Sequence, residues 1–194
     1  MPELSPLNAK TTALLIMDCQ NGITSFAPES EKIFPHLSKA LKAARANNFH
    51  VIHVGIGFRP GYPEVHPNHP TFGRIRQTGR FVIETESAEF HPAVAPKEGE
   101  ITIVKHRVSA FSGNDLEMIL RAQSITHLVL AGIATSGIVL STLRQAADLD
   151  FQCLVLKDGC FDPDEEVHRV LTEKVFEKQA EILNCEAFAN KISR

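Results

Sequence analysis

HLVLAGIATSGIVLSTLRQAADL, residues 127–149, decides how this chain folds. His127 to Ile133 is a short, almost continuously apolar run, the pattern of a strand buried on both faces of a parallel sheet. At Thr135 the pattern changes to a helical recurrence that carries on to Leu149. A strand that feeds straight into a helix is half of a β–α–β crossover. Working outward, the same kind of apolar run recurs at Thr11–Asp18 (TTALLIMD), His50–Ile56 (HVIHVGI), Ile101–Lys105 (ITIVK) and Phe151–Leu156, with a short last candidate at Ala180–Leu183.

Helical spacing fills the intervals. Ile33, Leu37, Ala40, Leu41 and Ala44 mark a helix over Ser30–Asn47, with Pro35 in its first turns. Asn114 and Glu117 give a capping-box pattern to a helix over Asn114–Gln123. Asp162, Pro163 and Glu165 have the order of an N-cap, an N1 proline and an N3 glutamate. Strands alternating with helices pair in parallel through right-handed crossovers. The expected fold is α/β, a three-layer α/β/α sandwich on a mainly parallel sheet of five or six strands.

The 194 residues fit one domain spanning 1–194. Apolar content of 43% and charged content of 22% are globular values and exclude a disordered chain. A net charge of -3 argues against nucleic acid, and no apolar run reaches the roughly 18 residues of a membrane span. The start MPELSPLNAK lacks a basic region followed by an apolar one, so a cytoplasmic protein is expected. Cys19, Cys153, Cys160 and Cys185 show no C-x-x-C spacing, as reduced, packed thiols would. With one Tyr and no Trp, the core rests on Leu, Ile, Val and twelve Phe.

One connection breaks the rhythm. Residues 57–99 separate two parallel strands and are rich in Pro, His, Arg and Gly. So long a connection is usually functional, and its expected place is over the carboxyl ends of the strands, where open α/β sheets bind ligands.

Three features carry chemistry. Asp18 ends the first strand and Lys105 the third, so a parallel sheet brings both side chains to one edge. There they either form an acid–base pair with mutually tuned pKa values or merely mark two strand ends. The third feature is the turn Ile133, Ala134, Thr135, Ser136 and Gly137, whose amides at a helix start suit an oxyanion or carboxylate. Thr135 or Ser136 is expected to cap the helix rather than act as a nucleophile, since no histidine base is evident near either. In the long connection, Phe58 and Arg59 are candidate substrate contacts. Taken singly, Arg59, Arg74, Arg76 and Arg80 fit solvated loop positions, while a carboxylate clamp by one of them stays open. His106 and Arg107 suit a neighbouring subunit equally well. Glu64, His66 and His69 offer three metal donors in a proline-bound loop, but ligand identity without geometry is weak, and no metal or other cofactor is expected.

Taken in order, LLIMDCQNGI with Asp18, ITIVKHRVSAF with Lys105, GIATSGIVLSTLRQAADLDF and LVLKDGCFDPDEEVH resemble the isochorismatase-like hydrolases, the cysteine hydrolase superfamily. The resemblance covers nearly the whole chain. It implies a Rossmann-like parallel sheet and a site of Asp, Lys and Cys, in which the Cys attacks an amide, the Asp takes its proton and the Lys orients. It also implies a non-proline cis peptide at Ile133–Ala134 and a homo-oligomer, dimer or larger, acting on a small molecule. The family's metal-binding Asp-x-His element has no counterpart in HVGIGFRPGY.

The chain departs from that pattern at one place. Ile138 stands where the family's nucleophilic Cys belongs, and isoleucine has no atom that can attack a carbonyl. Cys19 adjoins Asp18, but alternation along a strand turns it to the opposite face. The expectation is therefore a hydrolase working through Asp18 and Lys105 without a thiol, as resemblance to the vinyl-ether-cleaving isochorismatases implies. A small anionic substrate fits that chemistry. The rivals are an inert ligand-binding homologue and an amide hydrolase with another nucleophile.

Overall fold

The computed structural model describes residues 6–193. Six strands, β1 (Thr12–Met17), β2 (His50–Ile56), β3 (Ile101–Lys105), β4 (His127–Ile133), β5 (Gln152–Phe161) and β6 (Ala180–Leu183), form one sheet in the order β3-β2-β1-β4-β5-β6. Every pairing is parallel, as the expected crossovers require. The helices are α1 (Asn21–Thr24), α2 (Phe34–Ala46), α3 (Phe72–Thr78), α4 (Leu116–Ala122), α5 (Leu140–Asp148), α6 (Glu165–Val170) and α7 (Cys185–Ile192).

Alternation along the central strands builds two cores. Leu15 and Met17 face one way, into a layer with Leu116 and Leu120 of α4 and Leu143 and Ala146 of α5. Leu14 and Ile16 face the other way, onto Leu37 and Leu41 of α2 and Phe188 and Ile192 of α7. Both faces of β1 and β4 are buried throughout, which is why their sequences are apolar without a break.

Strand order reverses between β1 and β4. Such a switch point leaves a crevice at the carboxyl ends of the strands. Gly132 permits the close approach there: its φ is 147°, and a Cβ at this position would lie 2.0 Å from the carbonyl oxygen of Met17.

Several expected boundaries shift. Ser30–Asn47 divides into a 3-10 turn over Pro28–Ile33 and then α2, with Pro35 in the first turn of α2, where its missing amide costs nothing. The helix expected over Asn114–Gln123 is only α4, and there is no capping box. Asn114 Oδ1 instead accepts the Leu116 amide, and its Nδ2 donates to Ala110 O. Thr135–Leu149 opens as a wide π-turn over Thr135–Val139 before α5 begins. β5 runs five residues beyond Leu156, its register against β4 shifting between Leu130 and Gly132. The N-cap of α6 is Asp164, which accepts the amides of Glu166 and Val167, because Asp162 is engaged elsewhere.

The connection 57–99 carries α3 and its own small core of Ile56, Phe58, Tyr62, Val65, Phe72 and Phe81. It is tied to the strand ends by Asn21 N to Glu89 O, His91 N to Cys19 O and Phe58 N to Phe81 O. No helix among the described residues is long and apolar enough to cross a membrane.

Candidate active site

Asp18 follows β1 directly and adopts φ 52°, a left-handed conformation that short polar residues tolerate better than most. Its amide donates to Val54 O (2.7 Å), so the backbone turns while still held to β2. Lys105 closes β3, two strands away, and its side chain crosses the end of β2. Lys105 Nζ donates to Asp18 Oδ2 (2.9 Å) and to Arg107 O (3.0 Å). The sheet thus brings together the two residues that the sequence singles out.

The pair is dry. Asp18 is 7% exposed and Lys105 1% exposed. Burial pushes the Asp18 carboxyl above its usual range; the charge and hydrogen bond of Lys105 and the Ile56 amide pull it down, but by less. Asp18 Oδ1 is buried and has no hydrogen-bond partner in the protein. An unsatisfied buried oxygen is costly, and such atoms mark places where a substrate or water completes the bonding.

Gln20 was missed as a site residue by sequence reasoning, though it lies only two positions past Asp18. Its amide nitrogen donates to Ile56 O (2.9 Å) and Ala88 O (2.7 Å), and its oxygen accepts Ile56 N (2.8 Å). One buried side chain therefore joins the end of β2, the segment after β1 and the long connection.

The peptide Ile133–Ala134 is cis, as the resemblance implies. The turn that follows offers fewer free amides than expected. Ser136 N donates to Asp162 Oδ2 (2.8 Å), and Gly137 N to Ala134 O (3.1 Å). Neither Thr135 nor Ser136 caps the helix with its side chain. Thr135, fully buried, has its hydroxyl 2.8 Å from Nδ1 of His168. A histidine does therefore stand beside this turn, contrary to expectation. It comes from α6, 33 residues downstream, and no local spacing could announce it.

Ile138 is 2% exposed and belongs to the core layer that also holds Leu15, Met17, Ala110, Phe111, Val139 and Leu143. All four cysteines are buried, with Cys19 in the core layer opposite to that of Ile138. Burial pushes Cys153 and Cys160 up to about 12 and drives Cys19 and Cys185 upward as well, so none is a thiolate near neutral pH.

Two further candidates lie in the long connection. Phe58 is fully buried in the satellite core. Arg59 is two-thirds exposed and pairs with Glu64. Arg74 and Arg76 are exposed on α3, whereas Arg80 lies 3.9 Å over the Phe26 ring and donates to Gly22 O and Ser25 Oγ. His106 Nδ1 bonds Gly57 O (2.6 Å), and Arg107 donates to Glu64 O (3.0 Å), fastening the connection beside Lys105. Glu64, His66 and His69 do not converge: His66 and His69 turn Nδ1 to backbone amides of their own loop. Among the described residues no group of three or more His, Cys, Asp or Glu is placed to hold a metal.

Known proteins share this chain's fold and sequence pattern. Residues 12–187 match the isochorismatase domain model. An uncharacterized isochorismatase family protein of Escherichia coli O157:H7, YecD, is 30% identical over 190 residues, covering 96% of this chain and 98% of that protein. A ureidoacrylate amidohydrolase, RutB, of Caulobacter vibrioides is 28% identical over 214 residues, covering 99% of this chain and 91% of that protein. The fold is that of a cysteine hydrolase from Pseudomonas syringae pv. phaseolicola 1448A, with a TM-score of 0.88 at 20% identity, over 100% of this chain and 99% of that one. The chain belongs to the isochorismatase family of hydrolases.

Proposed function

We propose that the protein hydrolyses a small anionic molecule by acid–base chemistry at Asp18 and Lys105, without a covalent thiol intermediate. The observation that carries this reading is the buried pair itself, with Lys105 on Oδ2 and Oδ1 left without a partner. A carboxyl whose pKa is raised by burial holds a proton where an ordinary aspartate would have lost it, which suits a general acid.

For a vinyl ether such as isochorismate the atoms balance without a nucleophile on the protein. Asp18 gives its proton to the terminal carbon of the double bond, leaving an oxocarbenium ion and a carboxylate that Lys105 stabilises. Water adds to the cation, its proton returns the carboxylate to the acid form, and the hemiketal collapses to pyruvate and an alcohol. Amides of the turn from Ala134 to Ile138 would meet the substrate's negative charge, those of Ser136 and Gly137 excepted because Asp162 and Ala134 engage them.

The test is pyruvate release from isochorismate. Wild type should turn over, and Asp18→Asn, which keeps the shape but carries no acid proton, should lose at least about 100-fold in kcat. Equal turnover by the variant would remove Asp18 from the mechanism. An amide substrate is the second reading, favoured by the similarity to a ureidoacrylate amidohydrolase and by the Thr135–His168 contact. The complete burial of Thr135 weighs against its hydroxyl as a nucleophile.

A further inference from the structure

A cavity of about 350 Å³ opens beside the carboxyl end of β5, between the start of α2 and α6. That volume lies within the range of small-molecule sites. Buried Ile33, Cys160 and Phe161 give it an apolar floor, and its walls are charged. The acidic groups on those walls already have partners. Asp162 accepts the amides of Ser136 and Asp164, and Asp158 accepts the Cys185 amide (2.7 Å) and lies 3.5 Å from His36. Glu165 is 3.6 Å from Lys32, whose ammonium also sits 5.2 Å from the Phe161 ring centre.

The donors are less committed. Lys157 makes no hydrogen bond or ion pair among the described residues, and His168 uses only Nδ1, toward Thr135. Burial, aided by Lys32 and Lys157 and opposed by Asp162 and Glu173, holds the His168 imidazole below its usual range, so the ring is neutral at pH 7. An apolar floor beneath unspent donors suits an anion with a hydrophobic body.

We propose that this cavity is a second small-molecule site, separate from the Asp18–Lys105 pair, for a small carboxylate on an aromatic or branched apolar body. The body rests on Ile33 and Phe161, and the carboxylate meets Lys157 and His168. Two walls of the cavity also hold the turn after β4, His168 through the Thr135 hydroxyl and Asp162 through the Ser136 amide. A carboxylate at Nε2 selects the tautomer protonated there, and the Thr135 hydroxyl then donates to Nδ1. Occupancy of the cavity therefore bears directly on the turn that flanks the candidate active site.

Benzoate is the probe, titrated into the protein while amide resonances are followed. Millimolar binding is expected of so small a ligand. Saturable shifts should appear at Ser136, Glu165 and His168. The dissociation constant should rise about fivefold or more in Lys157→Ala, whose exposed side chain has no structural partner, and in His168→Gln. It should be unchanged in Asp18→Asn. Absence of saturable shifts at these amides up to about 50 mM overturns the proposal. So does saturation that survives both cavity variants, or that disappears in Asp18→Asn.

Discussion

At the scale of single residues, Ile138 is a buried core position in the turn after β4. Its side chain belongs to the core layer that also holds Met17, Phe111 and Leu143. Ile138→Ala should lower unfolding free energy by about 2–4 kcal/mol, measured by denaturant titration, because a buried branched side chain leaves a cavity behind. A loss under about 0.5 kcal/mol would mean that Ile138 faces an open site instead. Asp18 and Lys105 were legible in the sequence because each directly follows or ends an apolar run, and a parallel sheet sends such ends to one edge. The hydrogen bond between Thr135 and His168 was not, since it joins two elements through tertiary packing alone. The burial of Phe58 is hidden for a related reason. A loop phenylalanine looks the same in sequence whether it faces a ligand or forms the core of the loop.

At the scale of elements, an acidic clip fastens the segment before β3. Glu100 takes two hydrogen bonds from Arg45 of α2 (2.7 and 2.8 Å), one from the Lys97 amide (2.8 Å) and one contact from buried His53 of β2 (3.0 Å). Burial alone would raise its pKa, but Arg45, the Lys97 amide and His53 together bring it down to about 2. A carboxyl depressed on folding adds stability above its unfolded value, and that stability is lost as pH falls from about 4.5 to about 2. The full contribution is about 3 kcal/mol at most. Glu100→Gln should therefore be less stable at neutral pH and show a shallower loss between those limits; identical acid-unfolding curves would contradict the assignment. Helix and strand identities were readable from periodicity, whereas helix starts were not. Asn114 and Asp162 both have the spacing of caps, yet each reaches only an amide two residues on and spends its other side-chain atom on Ala110 or Ser136. A local motif names a possible bond, and packing decides which one forms.

At the scale of the whole molecule, the strand order β3-β2-β1-β4-β5-β6 converts separate strand ends into one edge, and the 57–99 connection closes over part of it. That a mainly parallel sheet of five or six strands would form was legible, but the path of the connection was not, because its satellite core brings together residues without any sequence period. Gln20 is the joint between sheet and connection. Gln20→Ala removes three hydrogen bonds, two of them buried, and should cost about 2–4 kcal/mol in thermal or denaturant unfolding, with turnover reduced as the Asp18 turn loosens. Unchanged stability would show that the connection is held by its other contacts alone.

The central claim is that the site works without a covalent intermediate on the protein. Its most direct test is rapid-quench turnover of isochorismate with intact-mass measurement of the protein during the first turnovers. The account predicts pyruvate release that is linear from the first turnover, with the protein mass unchanged throughout. A burst accompanied by a protein-bound adduct would contradict it, because that is the signature of a nucleophile.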